Sequence, residues 1–238
     1  YLMNVPDNTL PSVFSEAGRD FFENMLGALP PSDLTTWVNE DFKVLCNDHK
    51  EPTDLEAKMV VSTISRADGN FMIPITDIYN HRNGAWMNVD MEVSDSGSFQ
   101  MKATRTIEAG EEIYISNNEC ESCGGRAEKY GTPEMLRDYG IVEEYPQKWT
   151  FYSRRIKISL DEVEDEDGEV SVDVDIFDLE IDDDVDSLES EDAAFFRKQI
   201  HRMERIGNLK WADQEADKIP DHEWTMIWQY HAAILNAM

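Results

Sequence analysis

Positive charge is what this chain has least of. Its 238 residues hold 21 Lys and Arg against 50 Asp and Glu, a formal net charge of −29. Such a surface repels nucleic-acid phosphates and anionic membranes and attracts basic proteins, which excludes nucleic-acid and membrane binding as leading functions. Cysteine is scarce too. Cys46, Cys120 and Cys123 are an odd set that cannot close a disulfide framework, which points to a reducing, intracellular compartment, cytoplasm or nucleus. No apolar run approaches the length of a membrane span, and no secretory leader pattern precedes Leu10. The chain opens on Tyr1 rather than Met, as a fragment or a processed product would. Apolar residues make up 41%, enough for the core of one or two domains.

What is there begins with loop up to Leu10, broken by Pro6 and Pro11. The spacing of Phe21, Phe22, Met25, Leu26 and Leu29 predicts a helix over residues 15–29, stopped by Pro30-Pro31. Ser32 or Asp33 suits the cap of a second short helix containing Trp37, Val38 and Phe42. Ala57, Val60, Val61 and Ile64 mark a third over residues 56–64, followed by a strand over 70–75. A hairpin is predicted over residues 92–106, turning at Asp95-Ser96-Gly97. The residues from Thr150 to Leu160 alternate, as do those from Glu169 to Ile176, with Asp167-Gly168 as the turn between two strands. Every ionisable side chain from Asp161 to Asp192 is acidic. A calcium-loop reading of this stretch fails, because Gly168 at the sixth position puts Val163 and Val174 where oxygen ligands are required. Two helices close the chain. In the first, Phe196, Ile200, Met203 and Ile206 form a stripe ended by Gly207-Asn208. In the second, Trp224, Ile227, Trp228, His231, Ile234 and Leu235 line one side, and His231 reads as packed rather than catalytic.

The stretch from Ile73 to Ile141 is the most informative. Asn80-His81 follows an apolar run. Gly110-Glu111-Glu112 turns into Ile113-Tyr114-Ile115-Ser116, and Asp138-Tyr139-Gly140-Ile141 closes the stretch behind a short helix begun by Thr132-Pro133-Glu134. In this order the three segments resemble the C-terminal half of a SET domain. The closest subgroup is the one with a split SET domain, of the Rubisco large-subunit and actin methyltransferase kind. The resemblance covers residues 60–149 well and the flanks loosely. It implies an α+β chain with a β-rich SET fold (its C-terminal part), a helical insert before it and a helical C-terminal lobe after it. The expected division is 1–149 for insert and SET part, and 150–238 for acidic hairpin and lobe.

The same resemblance implies an S-adenosyl-L-methionine-dependent protein-lysine methyltransferase. Its protein supplies orientation, a narrow channel and electrostatics, while the cofactor carries the activated methyl group. Asn80 and His81 match the pair that holds the cofactor, through backbone groups and the Asn side chain. Tyr139 matches the second tyrosine of the lysine channel, with Ile141 in place of a phenylalanine. Two features depart from the pattern. Asn117 stands where the catalytic tyrosine of the family belongs, and no Gly-x-Gly cofactor loop occurs in residues 1–74. The alternative is therefore a catalytically inactive SET-derived module whose acidic hairpin and helical lobe hold a basic protein. No metal is expected: Cys120-x-x-Cys123 supplies two ligands of the four that structural zinc needs.

Overall fold

The computed structural model describes residues 10–26, 41–46, 48–66, 78–94, 97–118, 130–164, 168–179, 183–184, 190–207 and 218–238. Over these the chain is a mixed α+β protein with three small sheets. Helix α1 (Glu16–Leu26), a short α2 (Lys43–Cys46) and α3 (Asp54–Ile64) come first. Strand β1 (Asn80–His81), the hairpin β2 (Val89–Val93) and β3 (Phe99–Ala103), and β4 (Tyr114–Ile115) follow. Helix α4 (Thr132–Tyr139) leads into β5 (Gln147–Phe151), β6 (Ile156–Glu164), β7 (Val170–Asp178) and the short β8 (Asp183–Asp184). Helices α5 (Ser190–Gly207) and α6 (Asp221–Asn236) complete the order. Among the described residues no helix is long and apolar enough to cross a membrane.

The main core forms where α1, α4, α5 and α6 pack on the four-stranded sheet β5-β6-β7-β8. It contains Phe21, Phe22, Leu136, Trp149, Ile158, Leu160, Phe196, Ile227 and Tyr230, so it draws on both sides of residues 149 and 150. Aromatic rings carry much of it. Phe21 lies edge-on to Trp224 at 4.7 Å, Trp149 meets Tyr230 at 5.4 Å, and Phe151 meets Phe196 at 4.9 Å. Each such pair is worth about 0.5–1.5 kcal/mol beyond its buried area. A satellite core of Leu10 and Val61 fixes α3. That helix opens with a capping box the sequence reading passed over. Thr53 Oγ1 accepts the Glu56 N–H, and the Glu56 carboxylate accepts the Thr53 N–H at 2.7 Å.

Several expectations shift in detail. The strand over residues 70–75 and the Cys120/Cys123 pair lie outside the described residues, as does the helix expected from Ser32 or Asp33 except for its Phe42, which sits in the helical turn that leads into α2. Residues 150–160 are not one strand but the end of β5 and the start of β6. A turn at residues 152–155 separates them, with Arg155 at φ 57°. The sequence offers no Gly, Asn or Pro there to mark it. On α6 the buried stripe is Glu223, Ile227, Tyr230, His231 and Ala233, while Trp228 is 37% exposed. Trp224 and Ile234 of the expected stripe pack half-buried against the core, and Tyr230, outside that stripe, joins it beside Trp149. His231 is packed: its Nε2 pairs with the Met203 carbonyl at 3.0 Å and ties α6 to α5.

Candidate functional site

Local chemistry first brings β1 to β4. They pair in parallel, Asn80 opposite Tyr114 and His81 opposite Ile115, and the Arg82 N–H extends the ladder to the Ile115 carbonyl at 3.0 Å. Fully buried Asn88 holds the other side of β4. Its Nδ2 donates to the Glu112 carbonyl at 2.8 Å and its Oδ1 accepts the Tyr114 N–H at 3.0 Å. Among the described residues no strand pairs with β4 on this side, and Asn88 serves it with its side-chain amide and its own N–H, which donates to the Tyr114 carbonyl at 3.3 Å.

Behind this pairing, three separated stretches converge on one buried carboxylate, Glu143. His81 Nε2 lies 2.9 Å from Glu143 Oε1, and both side chains are 2% exposed. The amides of Asn83 and Asn118 donate to the same oxygen, each at 2.8 Å, and Thr132 Oγ1 donates to Oε2 at 2.5 Å. The other His81 nitrogen, Nδ1, accepts the Asn117 N–H at 3.1 Å. That bond fixes the tautomer: the ring proton sits on Nε2 and is donated to Glu143. Ser116 Oγ donates to Asn83 Oδ1 at 2.8 Å and accepts the Asn118 N–H at 3.2 Å. The Glu143 carbonyl accepts Gln147 Nε2 at 2.7 Å, and Gln147 Oε1 accepts the Trp149 indole N–H at 3.1 Å. Through these two bonds the polar hub is anchored in the apolar core.

Helix α4 delivers Thr132 to the hub. Its N-cap is Gly131, whose N–H is held by the Glu134 carboxylate at 2.9 Å, half of a capping box. A Cβ at Gly131 would fall on the Lys148 carbonyl, so only glycine allows α4 this close to β5. The helix stops at Gly140, which adopts the left-handed conformation (φ 68°) and donates to the Leu136 carbonyl. Burial pushes the Glu134 carboxyl above its ordinary range, with the Gly131 N–H opposing that shift. A carboxyl so raised binds its proton more tightly in the folded state, so it opposes folding as pH rises through the carboxylate range. Glu134→Gln is therefore expected to improve in melting temperature relative to the parent between about pH 4 and about pH 7. Thermal melts at both pH values check this; a parallel fall would contradict it.

The outer face is open and charged. The exposed Asn80 amide donates to Glu112, whose other oxygen accepts the Tyr114 hydroxyl at 2.9 Å. These two bonds, that of Asn80 first, hold the Glu112 carboxyl below its ordinary range, and the bond to Glu112 raises the Tyr114 phenol. Arg105 and then the Glu108 N–H hold Glu111 down at about 2. Arg82 lays its guanidinium over the Trp86 ring, 3.7 Å from the centroid, and pairs with Glu144 at 2.9 Å.

Of the residues the sequence singled out, Asn80, His81 and Asn117 come together. Asn117 is half-buried and its main chain holds the His81 ring. Tyr139 ends α4, half-buried, with its ring edge-on to Tyr130 at 6.5 Å. The His81 imidazole is engaged at both nitrogens, so what this pair offers a ligand is its main chain and the exposed Asn80 amide. Glu143, Asn83 and Asn118 were not singled out by the sequence, and Thr132 was legible there only as a helix start, not as a site residue. The density of Asn between residues 80 and 88, and the Glu143-Glu144 pair between Val142 and the core strand β5, are the signals that could have found them. No family model, curated protein or solved structure matches the chain.

Proposed function

We propose that this chain carries the C-terminal part of a SET-type, S-adenosyl-L-methionine-dependent protein-lysine methyltransferase acting inside the cell, in cytoplasm or nucleus. The observation that carries the reading is the parallel pairing of Asn80-His81 with Tyr114-Ile115, which sets the supposed cofactor pair beside residue 117. The residues fit one side of such a cofactor. Asn80 has an exposed amide that can leave Glu112 for the polar end of the ligand, and the locked His81 ring presents the main chain of the pair in one geometry. When bound, the cofactor supplies the activated methyl group. The chain's own part is to bind, orient and exclude water. The Glu143 hub keeps residues 80–83 and 116–118 in fixed register, and Tyr139 and Asn117 would border the lysine channel.

A second reading, an inactive SET-derived module that holds basic proteins, is favoured by Asn117 itself. An amide is shorter than the expected phenol and cannot reach the same position. The two readings part in one experiment. Because the contact of Asn117 with His81 runs through the main chain, Asn117→Tyr leaves it intact. This variant is expected to raise methyl transfer to basic protein substrates at least about tenfold, roughly what one positioning group is worth. No gain, with cofactor binding retained, would favour the inactive module.

A further inference from the structure

The hairpin of β6 and β7 outreaches the core it is built on. Directly opposed residues share a face, and the register places Leu160 opposite Val174, Glu162 opposite Val172 and Glu164 opposite Val170. Ile156, Ile158 and Leu160 on this face are buried at 5%, 4% and 1%. Farther out the same face is bare: Val174 is 51% exposed, Val172 43% and Val170 60%. The expected apolar parity of β7 is present, but its outer half stays exposed. On the opposite face stand Asp173 and Asp175, both exposed. Among the described residues the outer edge is also unpaired. β8 pairs only with Phe177 and Asp178, and along Val170–Ile176 no other described strand adjoins β7 on that side.

We propose that this edge takes up an extended segment of a partner protein in which aliphatic residues alternate with Lys or Arg. A strand added to β7 projects its side chains alternately to the two faces. One parity then covers the bare valines, and the other sets its cations beside Asp173 and Asp175. Three features select that occupant. The valine row requires apolar side chains at every second position. The carboxylates require cations between them, and a second copy of this acidic chain is repelled. The Val174 N–H is meanwhile held by Asp173 Oδ1 at 3.0 Å, which blunts the edge toward neutral strands. A cation that draws Asp173 away releases this donor for the incoming carbonyl. The inference stands whether or not the chain transfers methyl groups, since it needs neither cofactor nor the Glu143 hub.

The probes are three synthetic peptides added without cofactor: alternating Val–Lys, alternating Ser–Lys of equal charge, and the Val–Lys composition in two blocks. Fluorescence anisotropy should show the alternating Val–Lys peptide binding at least about tenfold tighter than the other two. Its affinity should fall steeply with salt, as exposed charges are screened. Val172→Ser with Val174→Ser should remove the preference while leaving Ser–Lys binding unchanged, and amide exchange should slow along residues 170–176 only with the alternating peptide. Equal binding of all three peptides would reduce the patch to a nonspecific polyanion and overturn the proposal. So would the absence of binding, salt-independent binding, or concentration-dependent self-association that covers the valines.

Discussion

Glu143→Ala is expected to be the most damaging single substitution in the described structure, lowering stability by about 3–5 kcal/mol. Truncation strands four buried donors at once: the His81 ring N–H, the amides of Asn83 and Asn118, and the Thr132 hydroxyl. None of these sites admits water readily, as Asn83 and Asn118 are each 2% exposed and Thr132 is 0%. Glu143→Gln should fall between parent and Ala. It keeps the volume but turns one acceptor into a donor that faces donors. Denaturant unfolding ranks the three. Equal stability of parent and Glu143→Ala would mean that the hub is not the clamp its geometry describes. The hub residues act as one network, so single substitutions within it should not add.

The second large effect is expected at Gly18. Ser15 caps α1 by accepting the Gly18 N–H on its Oγ at 3.0 Å. In a local capping box a glutamate at the position of Gly18 would reach back to the Ser15 N–H. Here the carboxylate comes from Glu223 of α6, which accepts both the Ser15 N–H and the Ser15 hydroxyl at 2.7 Å. Gly18 makes the room for it, because a Cβ at that position would fall on Glu223 Oε2. Gly18→Ala, ordinarily favourable inside a helix by about 0.5–1 kcal/mol, should instead cost about 2–4 kcal/mol through the lost cap and the displaced buried carboxylate. In a Glu223→Ala background the same substitution should become nearly neutral. A double-mutant cycle measures this directly. An undiminished cost in that background would point to a clash with some other group.

These two sites also mark where the sequence was legible and where it was not. Elements declared by local patterns were readable: the hairpin around Gly97, the Pro133-led start of α4, the stripe Phe196–Met203 of α5, and the parity of Ile156, Ile158 and Leu160. Each depends on neighbours in the chain. The trans cap of Ser15 depends on a glutamate 208 positions away, and Glu223 itself reads as an ordinary surface residue at the start of a helix. Glu143 is the same case. It is acidic in a chain crowded with acids, and only the convergence of residues 81, 83, 118 and 132 makes it central. Of the candidate site, Asn80, His81 and residue 117 were legible because a motif joins them. Their supporting shell was not, because hydrogen bonds between distant stretches leave no periodicity. The bare valines of β7 show the reverse limit. Alternation specifies which face a side chain takes, but not how far the core beneath that face extends.

The most direct test of the central claim is calorimetric titration of S-adenosyl-L-methionine into the protein and into its Asn80→Ala variant. The expected result is that the protein binds, and that Asn80→Ala weakens binding about tenfold or more without lowering the melting temperature, since the Asn80 side chain is exposed and lies outside the Glu143 hub. Absence of binding, or binding indifferent to Asn80, would contradict it and leave the Asn80–Tyr114 pairing as a purely structural joint.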